Sequence, residues 1–228
     1  MGGNTGYFEF NNVDWNQMWS ATWETIWMTV VSIVVVAILG YFIGLLLFET
    51  SGSQNFLVKV INWLVALFVN VFRSIPFIIL IVLLLPFTKQ VVGTIIGPVA
   101  ALPSLIVSAA PFYGRMVELA FHEIDRGVLE AADAMGASQW QIITKVLLPE
   151  SLPALISGIT VTAISLIGYT AMAGAIGAGG LGNLAYQEGF ESSNNTVTLV
   201  STVIIVLIVF AFQFIGDFAT RKVDKRVV

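Results

Sequence analysis

The side chains that could take part in chemistry cluster between Glu118 and Glu150. This segment holds six carboxylates, one arginine, one lysine and His122, the only histidine of the chain. A lone histidine in a chain without cysteine is a poor metal ligand set, so we expect no metal site. No nucleophile and base are paired in the chain, and the G-x-x-x-x-G-K-[ST] phosphate loop is absent. The cluster therefore favours recognition of a partner over catalysis.

Two short helices are predicted within this segment. The first covers about residues 126–135 and stops at Gly136, because glycine readily ends helices. The second opens at Ser138, which together with Gln141 fits a capping box. Pro149 lacks a backbone N–H and is expected to end this second helix. The segment is too short to be a domain, so it is either an ordinary capped loop or a rigid elbow that docks on a partner.

The rest of the chain is too apolar for a soluble protein. Of its 228 residues, 57% are hydrophobic and 11% are charged, whereas soluble domains carry about 25% charged residues. Uncharged runs of 24 or 25 residues follow Glu24, Lys89 and Glu191, and about 20 apolar residues cross a bilayer as a helix. A soluble enzyme, a nucleic-acid-binding domain and a disordered chain are excluded. The sequence predicts an all-α polytopic membrane protein with five transmembrane helices, near residues 25–48, 60–86, 99–117, 152–175 and 197–216.

The distribution of basic residues predicts the orientation in the membrane. No Lys or Arg precedes Lys59, whereas the tail 221–228 contains four. Because Lys and Arg concentrate on the cytoplasmic side, we expect a cytoplasmic C-terminus and, with five spans, an outer N-terminus. The chain then divides into an outer segment 1–24, a transmembrane domain 25–220 with a cytoplasmic loop 119–150, and the basic tail.

Aromatic and glycine patterns predict packing around the spans. Gly40 and Gly44 fit a G-x-x-x-G motif for close helix packing. The glycine-rich residues 177–182 formally match a dinucleotide fingerprint, but that motif requires a strand before it, so we interpret them as a flexible outer turn near another subunit or the substrate. A tryptophan stripe with a four-residue spacing predicts an anchor at the outer membrane interface: Trp15, Trp19, Trp23 and Trp27.

The second span carries an arginine and a proline in its middle. Pro76 removes a backbone donor and is expected to kink the helix. Arg73 is costly within apolar sequence unless it reaches the interface or finds a partner. Two interpretations stay open for Arg73: an interfacial arginine on a tilted helix, or an arginine that faces the bundle interior near a permeation route.

The elbow also carries a family motif. Glu130-Ala131-Ala132, Gly136 and Val146-Leu147-Leu148-Pro149 resemble the E-A-A-x3-G-x9-I-x-L-P loop of bacterial ABC-importer permeases. The one departure is Val146 in the place of isoleucine, which conserves volume. Over roughly residues 20–220 the chain is similar to the methionine-import permeases, chiefly in four segments: residues 72–80, 109–118, 145–150 and 168–182.

This resemblance implies a permease subunit of an ATP-driven importer in the bacterial cytoplasmic membrane, not an enzyme. It implies a homodimeric pore, two cytoplasmic ATPase subunits that bind ATP and Mg²⁺ in place of this chain, and an external binding protein for an amino acid, methionine in the first instance. No nucleic-acid partner is implied. The elbow would be the coupling helix, and the residues expected at or beside the ATPase are Glu130, Ala131, Ala132, Gly136, Ser138, Leu148 and Pro149.

Two alternatives to a methionine importer stay open. Another amino acid could be the cargo, because the predicted path is mostly apolar and uncharged and suits many small solutes. A gradient-driven carrier is less favoured, because ion coupling usually requires Asp, Glu or His within the spans and spans one, three, four and five contain none in their cores. The residues expected to line the translocation path are Arg73, Ser74, Pro76, Ser108, Tyr113, Ser165, Tyr169 and Met172.

Overall fold

The computed structural model describes residues 6–224, and this part of the chain contains helices and turns but no β-strand. The prediction of an all-α protein is therefore confirmed. The helices are α1 Trp15–Ser51, α2 Phe56–Ser74, α3 Phe77–Leu83, α4 Leu85–Val92, α5 Pro98–His122, α6 Arg126–Ala134, α7 Gln139–Ile142, α8 Leu148–Gly174, α9 Gly180–Leu184 and α10 Asn195–Val223.

Helix α1 runs through the tryptophan stripe without a break. Asp14 caps it by accepting hydrogen bonds from the amides of Asn16 (2.9 Å) and Gln17 (3.1 Å). Its 37 residues measure about 55 Å, well beyond the roughly 30 Å of a hydrocarbon core. Trp15, Trp19 and Trp23 are exposed, whereas Trp27 packs against the core. The expected boundary at residue 24 thus lies inside a continuous helix.

Glycines set the spacing of α1 and α5. A methyl group on Gly44 would lie 2.5 Å from the carbonyl oxygen of Gly114, and one on Gly40 would lie 2.6 Å from the ring of Tyr113. The two backbones can approach this closely only because both positions on α1 lack a Cβ. The close packing predicted for Gly40 and Gly44 is confirmed, and α1 and α5 run in the same direction.

Contacts between the other long helices show the direction in which each of them runs. Asn62 of α2 donates to the carbonyl of Leu47 (3.1 Å) and to Thr50 Oγ1 (2.8 Å), so α2 starts where α1 ends. Ser157 of α8 lies 3.4 Å from Thr220 of α10, hydroxyl to hydroxyl, and Thr160 contacts Gly216 further along, so these two helices are antiparallel. Passages α1, α5 and α10 therefore run one way, and α2 and α8 run the other way.

Four stretches of the described chain are long and apolar enough to cross a membrane: α1, α2, the helix Gln139–Gly174 and α10. Helix α5 is not one of them, although residues 99–117 were predicted as a span. Its prolines and serines lower its hydropathy, and it packs against α1, α2, α3, α4 and α8. A helix enclosed by other helices presents little surface to lipid, so it does not need a continuous apolar sequence.

The predicted span at residues 60–86 is not one helix. Helix α2 ends at Ser74, Ile75 is extended (ψ 122°), and α3 begins after Pro76. The expectation of a kink was wrong, because the chain breaks there. The residue before a proline avoids the helical region, so the interruption falls on Ile75.

Pro149 does not end the second elbow helix. Helices α7 and α8 are continuous through one π-helical turn, Ile143–Leu147, in which the Leu148 amide donates to the carbonyl of Ile143. The prediction of a stop was wrong. The proline ring would meet the carbonyl four residues back in a regular helix, and the wider turn before Pro149 moves that carbonyl aside.

The glycine-rich turn after α8 is held in place by hydrogen bonds to side chains of α1. Gly177, Gly179 and Gly180 adopt positive φ values of 94°, 78° and 75°. The Gly180 amide donates to Glu24 Oε2 (2.7 Å) and the Leu181 amide donates to Thr25 Oγ1 (2.9 Å). Two side chains of α1 thus cap the first turn of α9, and the turn is tethered rather than flexible.

Candidate functional site

Helix α6 forms the tip of the elbow and is capped at both ends. Asp125 Oδ1 accepts the Gly127 amide (2.6 Å) at its start. At its end the Ala137 amide donates to Ala132 O (3.1 Å) and the Gly136 amide donates to Asp133 O (2.8 Å). These bonds make a Schellman motif, which requires the positive φ of Gly136 (78°). The predicted end of the first elbow helix is confirmed.

The second elbow helix begins as the sequence predicts. Gln141 Oε1 accepts the Ser138 amide (2.8 Å), and Ser138 Oγ accepts the Gln141 amide (3.4 Å). The capping box is therefore present, and it fixes the direction in which the chain leaves α6 for α8. Leu148 is half-buried and Pro149 is exposed at the start of α8. Ser138, Leu148 and Pro149 thus frame the base of the elbow.

The motif residues do not all face the same way. Glu130 and Ala131 are exposed, whereas Ala132 is 5% exposed and belongs to the protein core with Phe121 and Leu147. Ala132 therefore seats the elbow on its own chain, because a larger side chain would push α6 away from α7 and the π-helical turn that it contacts. The surface left for a partner is the outer side of α6.

Two large side chains at the tip were missed by the sequence reasoning. Met135 is 83% exposed and Trp140 is 71% exposed, and Glu130 is exposed on α6. Exposed apolar side chains rimmed by polar ones mark interaction surfaces. The signal in the sequence was weak, since neither apolar residue repeats at helical spacing. We call the exposed residues Glu130, Ala131, Met135 and Trp140 the elbow tip; Glu130 lies at its border with the cleft described next.

A cleft of about 430 Å³ lies behind the tip, between the elbow and the ends of α1 and α5. Carboxylates Glu49, Glu130 and Asp133 line it together with His122. On α5, Glu118 is buried and pairs with Arg115 (2.6 Å), while the His122 ring lies edge-on to Phe48 at 5.0 Å between centroids. Within residues 6–224 no group of three His, Cys, Asp or Glu side chains is arranged to hold a metal.

A second surface runs along α5 and α8 between the two ends of the bundle. On α8, Val161, Ser165, Gly168 and Met172 follow one another at spacings of four, three and four residues, which places them on one side of the helix. Val161 and Met172 are 45% and 49% exposed. We call this side of α8, with the flanking Phe112, Met116 and Leu119 of α5, the path face.

Ser165 and Met172 thus share the path face, and Tyr169 lies at its border. The Tyr169 ring stacks on Phe77 at the start of α3, with 4.7 Å between centroids and 7° between planes. This stack joins the Arg73–Pro76 break to α8. Arg73 itself is exposed, with its guanidinium carbon 5.9 Å from the centroid of the Phe112 ring.

Other predicted path residues lie apart from this face. Tyr113 is buried, and its hydroxyl donates to the carbonyl of Leu155 (3.2 Å) on the side of α8 that faces α1. Leu155 lies about 100° around the helix from Met172 at 3.6 residues per turn. Ser108 is buried within α5. Ser74 and Pro76 are exposed at the break after α2, and Ser74 Oγ donates to the carbonyl of Asn70 (2.7 Å).

Comparison with known proteins decides the family. Residues 38–228 match the family model of the binding-protein-dependent transport system inner membrane component. The chain belongs to this family. As an inner membrane transport component it is a multi-pass membrane protein and not an enzyme, and the resemblance seen in the elbow motif is confirmed.

Individual relatives are similar over most of their length. This inner membrane component is 62% identical over 181 residues to the methionine import system permease protein MetP of Bacillus subtilis (strain 168), covering 79% of this chain and 82% of that protein. It is 49% identical over 189 residues to the probable D-methionine transport system permease protein MetI of Pasteurella multocida (strain Pm70), covering 83% and 87%.

Solved structures share the fold of this inner membrane component. A chain of the MetNI methionine ABC transporter in an inward-facing conformation superposes with a TM-score of 0.88 at 47% identity, covering 92% of this chain and 97% of that chain. A chain of an amino acid ABC transporter crystallised with histidines has a TM-score of 0.69 at 18% identity, covering 92% and 99%. The second likeness shows the fold alone.

Proposed function

We propose that the chain is the permease subunit of an ATP-driven importer of methionine. Relatives named for methionine import or transport, at 62% and 49% identity, support the cargo. The single observation that carries the mechanism is the elbow. The doubly capped helix α6 packs against the chain that follows it through the buried Ala132, and Met135 after its end and Trp140 on α7 are exposed.

The elbow tip is the docking surface for a cytoplasmic ATPase in this proposal. Met135 and Trp140 supply apolar contact area, Glu130 supplies a charge for a basic side chain of the partner, and Ala131 lets the backbone come close. Gly136 and Ser138 act indirectly, since their caps set the angle at which the tip projects. ATP and Mg²⁺ are bound by two such ATPase subunits, one for each permease of a homodimer.

The continuity of α7 and α8 provides a lever for the transport cycle. The helix Gln139–Gly174 extends over 36 residues, about 54 Å at 1.5 Å per residue, from the elbow to the opposite end of the bundle. Movement of the elbow when the ATPases close is therefore passed to the path face, which lies on the same helix. The two path faces of a dimer would enclose the route and open it alternately to each side.

Five membrane crossings with an outer N-terminus form part of the proposal. The alternating helix directions support it, because the described chain starts and ends at opposite ends of the bundle. The elbow end also holds Arg115, Arg126, Lys145, Arg221 and Lys222, as expected for a cytoplasmic side. Of the four basic tail residues, Lys225 and Arg226 lie outside the described residues. An external binding protein would deliver the amino acid to the other end.

Uptake of labelled L-methionine by cells that lack and then regain the chain tests the proposal, with Glu130→Arg expressed alongside. We expect the wild type to restore ATP-dependent uptake and Glu130→Arg to insert in the membrane but lose uptake, because it reverses a charge at the elbow tip. If the wild type restores uptake of a different amino acid and not of methionine, that amino acid would replace methionine as the proposed cargo. Normal uptake by Glu130→Arg, with normal copurification of the ATPase, would remove the elbow from the mechanism.

A further inference from the structure

Arg73 lies between the two ends of the bundle. It is the eighteenth residue of α2, about 25 Å along the helix from Phe56. The Phe112 ring beneath its guanidinium belongs to the fifteenth residue of the 25-residue helix α5. Both helices therefore place this charge away from the first residues of α2 and α5, which favours the interpretation of an arginine that faces the bundle interior near a permeation route.

No carboxylate of the described chain neutralises this charge. Arg115 pairs with Glu118 at the elbow end of α5, and no carboxylate among residues 6–224 lies within ion-pair distance of Arg73. The Arg73 guanidinium carbon lies over the Phe112 ring, in a cation–π contact. The N–H donors of the guanidinium have no hydrogen-bond acceptor among residues 6–224. A charge in this state is costly in lipid but is tolerated beside a water-filled route.

The surroundings of Arg73 are those of an amino-acid site. Phe112 connects it to the α5 side of the path face, and Phe77, four residues after Arg73, stacks on Tyr169 of α8. The path face itself is uncharged, with a hydroxyl at Ser165 and a thioether at Met172 near the end of α8. Arg73 is therefore a positive charge beside a mostly apolar surface.

We infer that Arg73 binds the α-carboxylate of the amino acid during its passage, while the apolar path face contacts the amino-acid side chain. The planar guanidinium offers two parallel N–H donors that match a carboxylate, and its carbon lies over the Phe112 ring. This inference rests on the proposed function. It assigns a preference for solutes that carry a carboxylate over amines of the same shape.

The absence of cysteine in the chain allows a direct test. Met172→Cys provides a single thiol on the path face, and Phe214→Cys provides a control thiol on α10, where Phe214 is 73% exposed. Each variant is reconstituted with the ATPase in liposomes and labelled with a negatively and a positively charged methanethiosulfonate reagent. The ratio of the two rates reports the local charge, and slower labelling in the presence of L-methionine reports occupancy.

We expect the Met172→Cys thiol to react with both reagents. When Arg73→Gln is added, the labelling rate of the negative reagent relative to the positive one should fall about tenfold, because a fixed charge concentrates counter-ions in a route. Arg73→Lys should keep the rate ratio but weaken protection by L-methionine about tenfold, because lysine keeps the charge without the planar pair of donors. The amine that lacks only the methionine carboxylate should not protect.

Contrary results separate the inference from the proposed function. A Met172→Cys thiol as unreactive as that of Phe214→Cys would place this face in lipid and overturn both. If the thiol reacts but neither the ratio of the two labelling rates nor the protection by L-methionine changes when Arg73 is substituted, the carboxylate site alone is overturned, provided that the protein imports methionine. Dependence on Arg73 without methionine import, with protection by another amino acid, would support the carboxylate site and refute methionine as the cargo.

Discussion

Replacement of Trp140 by alanine tests the proposal that the elbow tip docks on an ATPase. A tryptophan side chain carries about 200 Å² of surface, and with 71% of it exposed about 140 Å² is available to a partner. At about 25 cal/mol per Å² its complete burial contributes roughly 3.5 kcal/mol. Allowing for incomplete coverage, we expect a loss of about 2–3 kcal/mol, which weakens the ATPase complex by about 30- to 150-fold.

The fold of Trp140→Ala should be nearly unchanged, because substitution of an exposed residue without internal packing shifts stability by about 0.5 kcal/mol or less. Trp19→Ala is the matched control, since Trp19 is 74% exposed and lies at the opposite end of the bundle. Titration of labelled ATPase onto each permease in nanodiscs gives the dissociation constants. The reasoning is refuted if Trp140→Ala binds within about threefold of the wild type, or if Trp19→Ala weakens binding equally.

Further predictions concern glycines and one cap, and thermal unfolding or uptake measures each of them. Gly44→Ala should destabilise the bundle by about 1–3 kcal/mol, because its methyl group would lie 2.5 Å from an oxygen of α5. Gly168→Ala has nothing within 4 Å and should not lower the Tm, since alanine favours the helix over glycine; equal Tm values of the two variants would contradict this. Gly136→Ala should cost about 1–2 kcal/mol at its positive φ and lower ATP-driven uptake; wild-type uptake would show that the elbow angle is unimportant. Glu24→Ala should lower the Tm by about 2–4 °C, since the Gly180 amide at the start of α9 loses its acceptor. An unchanged Tm would show that the bond from the Leu181 amide to Thr25 is sufficient to cap α9.

Much of the elbow could be predicted because its signals are local. The Ser138–Gln141 box and the helix end at Gly136 depend on residues within one helical turn. Pro149 misled the prediction because the loss of one donor is a local signal, whereas the π-helical turn that accommodates the proline is defined only in the folded helix. The same distinction explains Ala132, whose orientation toward the core depends on how α6 packs against α7 and the π-helical turn.

The path face was less predictable, because it depends on packing between distant segments. The sequence makes both Tyr113 and Met172 candidates for the translocation path. In the structure Tyr113 is buried and its hydroxyl donates to the carbonyl of Leu155 on α8, whereas Met172 is half exposed on the path face. The sequence leaves two interpretations of Arg73 open, because its contact with Phe112 of α5 forms only in the folded protein. Composition alone indicates that the membrane helices are apolar. It does not show that α5 tolerates prolines, because that tolerance depends on the helices that enclose α5 in the folded protein.

ATP-dependent accumulation of L-methionine in proteoliposomes tests the central claim most directly. The chain is reconstituted with the ATPase and the external binding protein that we propose as its partners. Uptake of labelled L-methionine is followed with ATP, with a non-hydrolysable analogue, or with an imposed ion gradient. We predict accumulation with hydrolysable ATP only, and its loss when Glu130→Arg replaces the wild type. Accumulation driven by the gradient without ATP would contradict an ATP-driven permease and make the chain a secondary carrier.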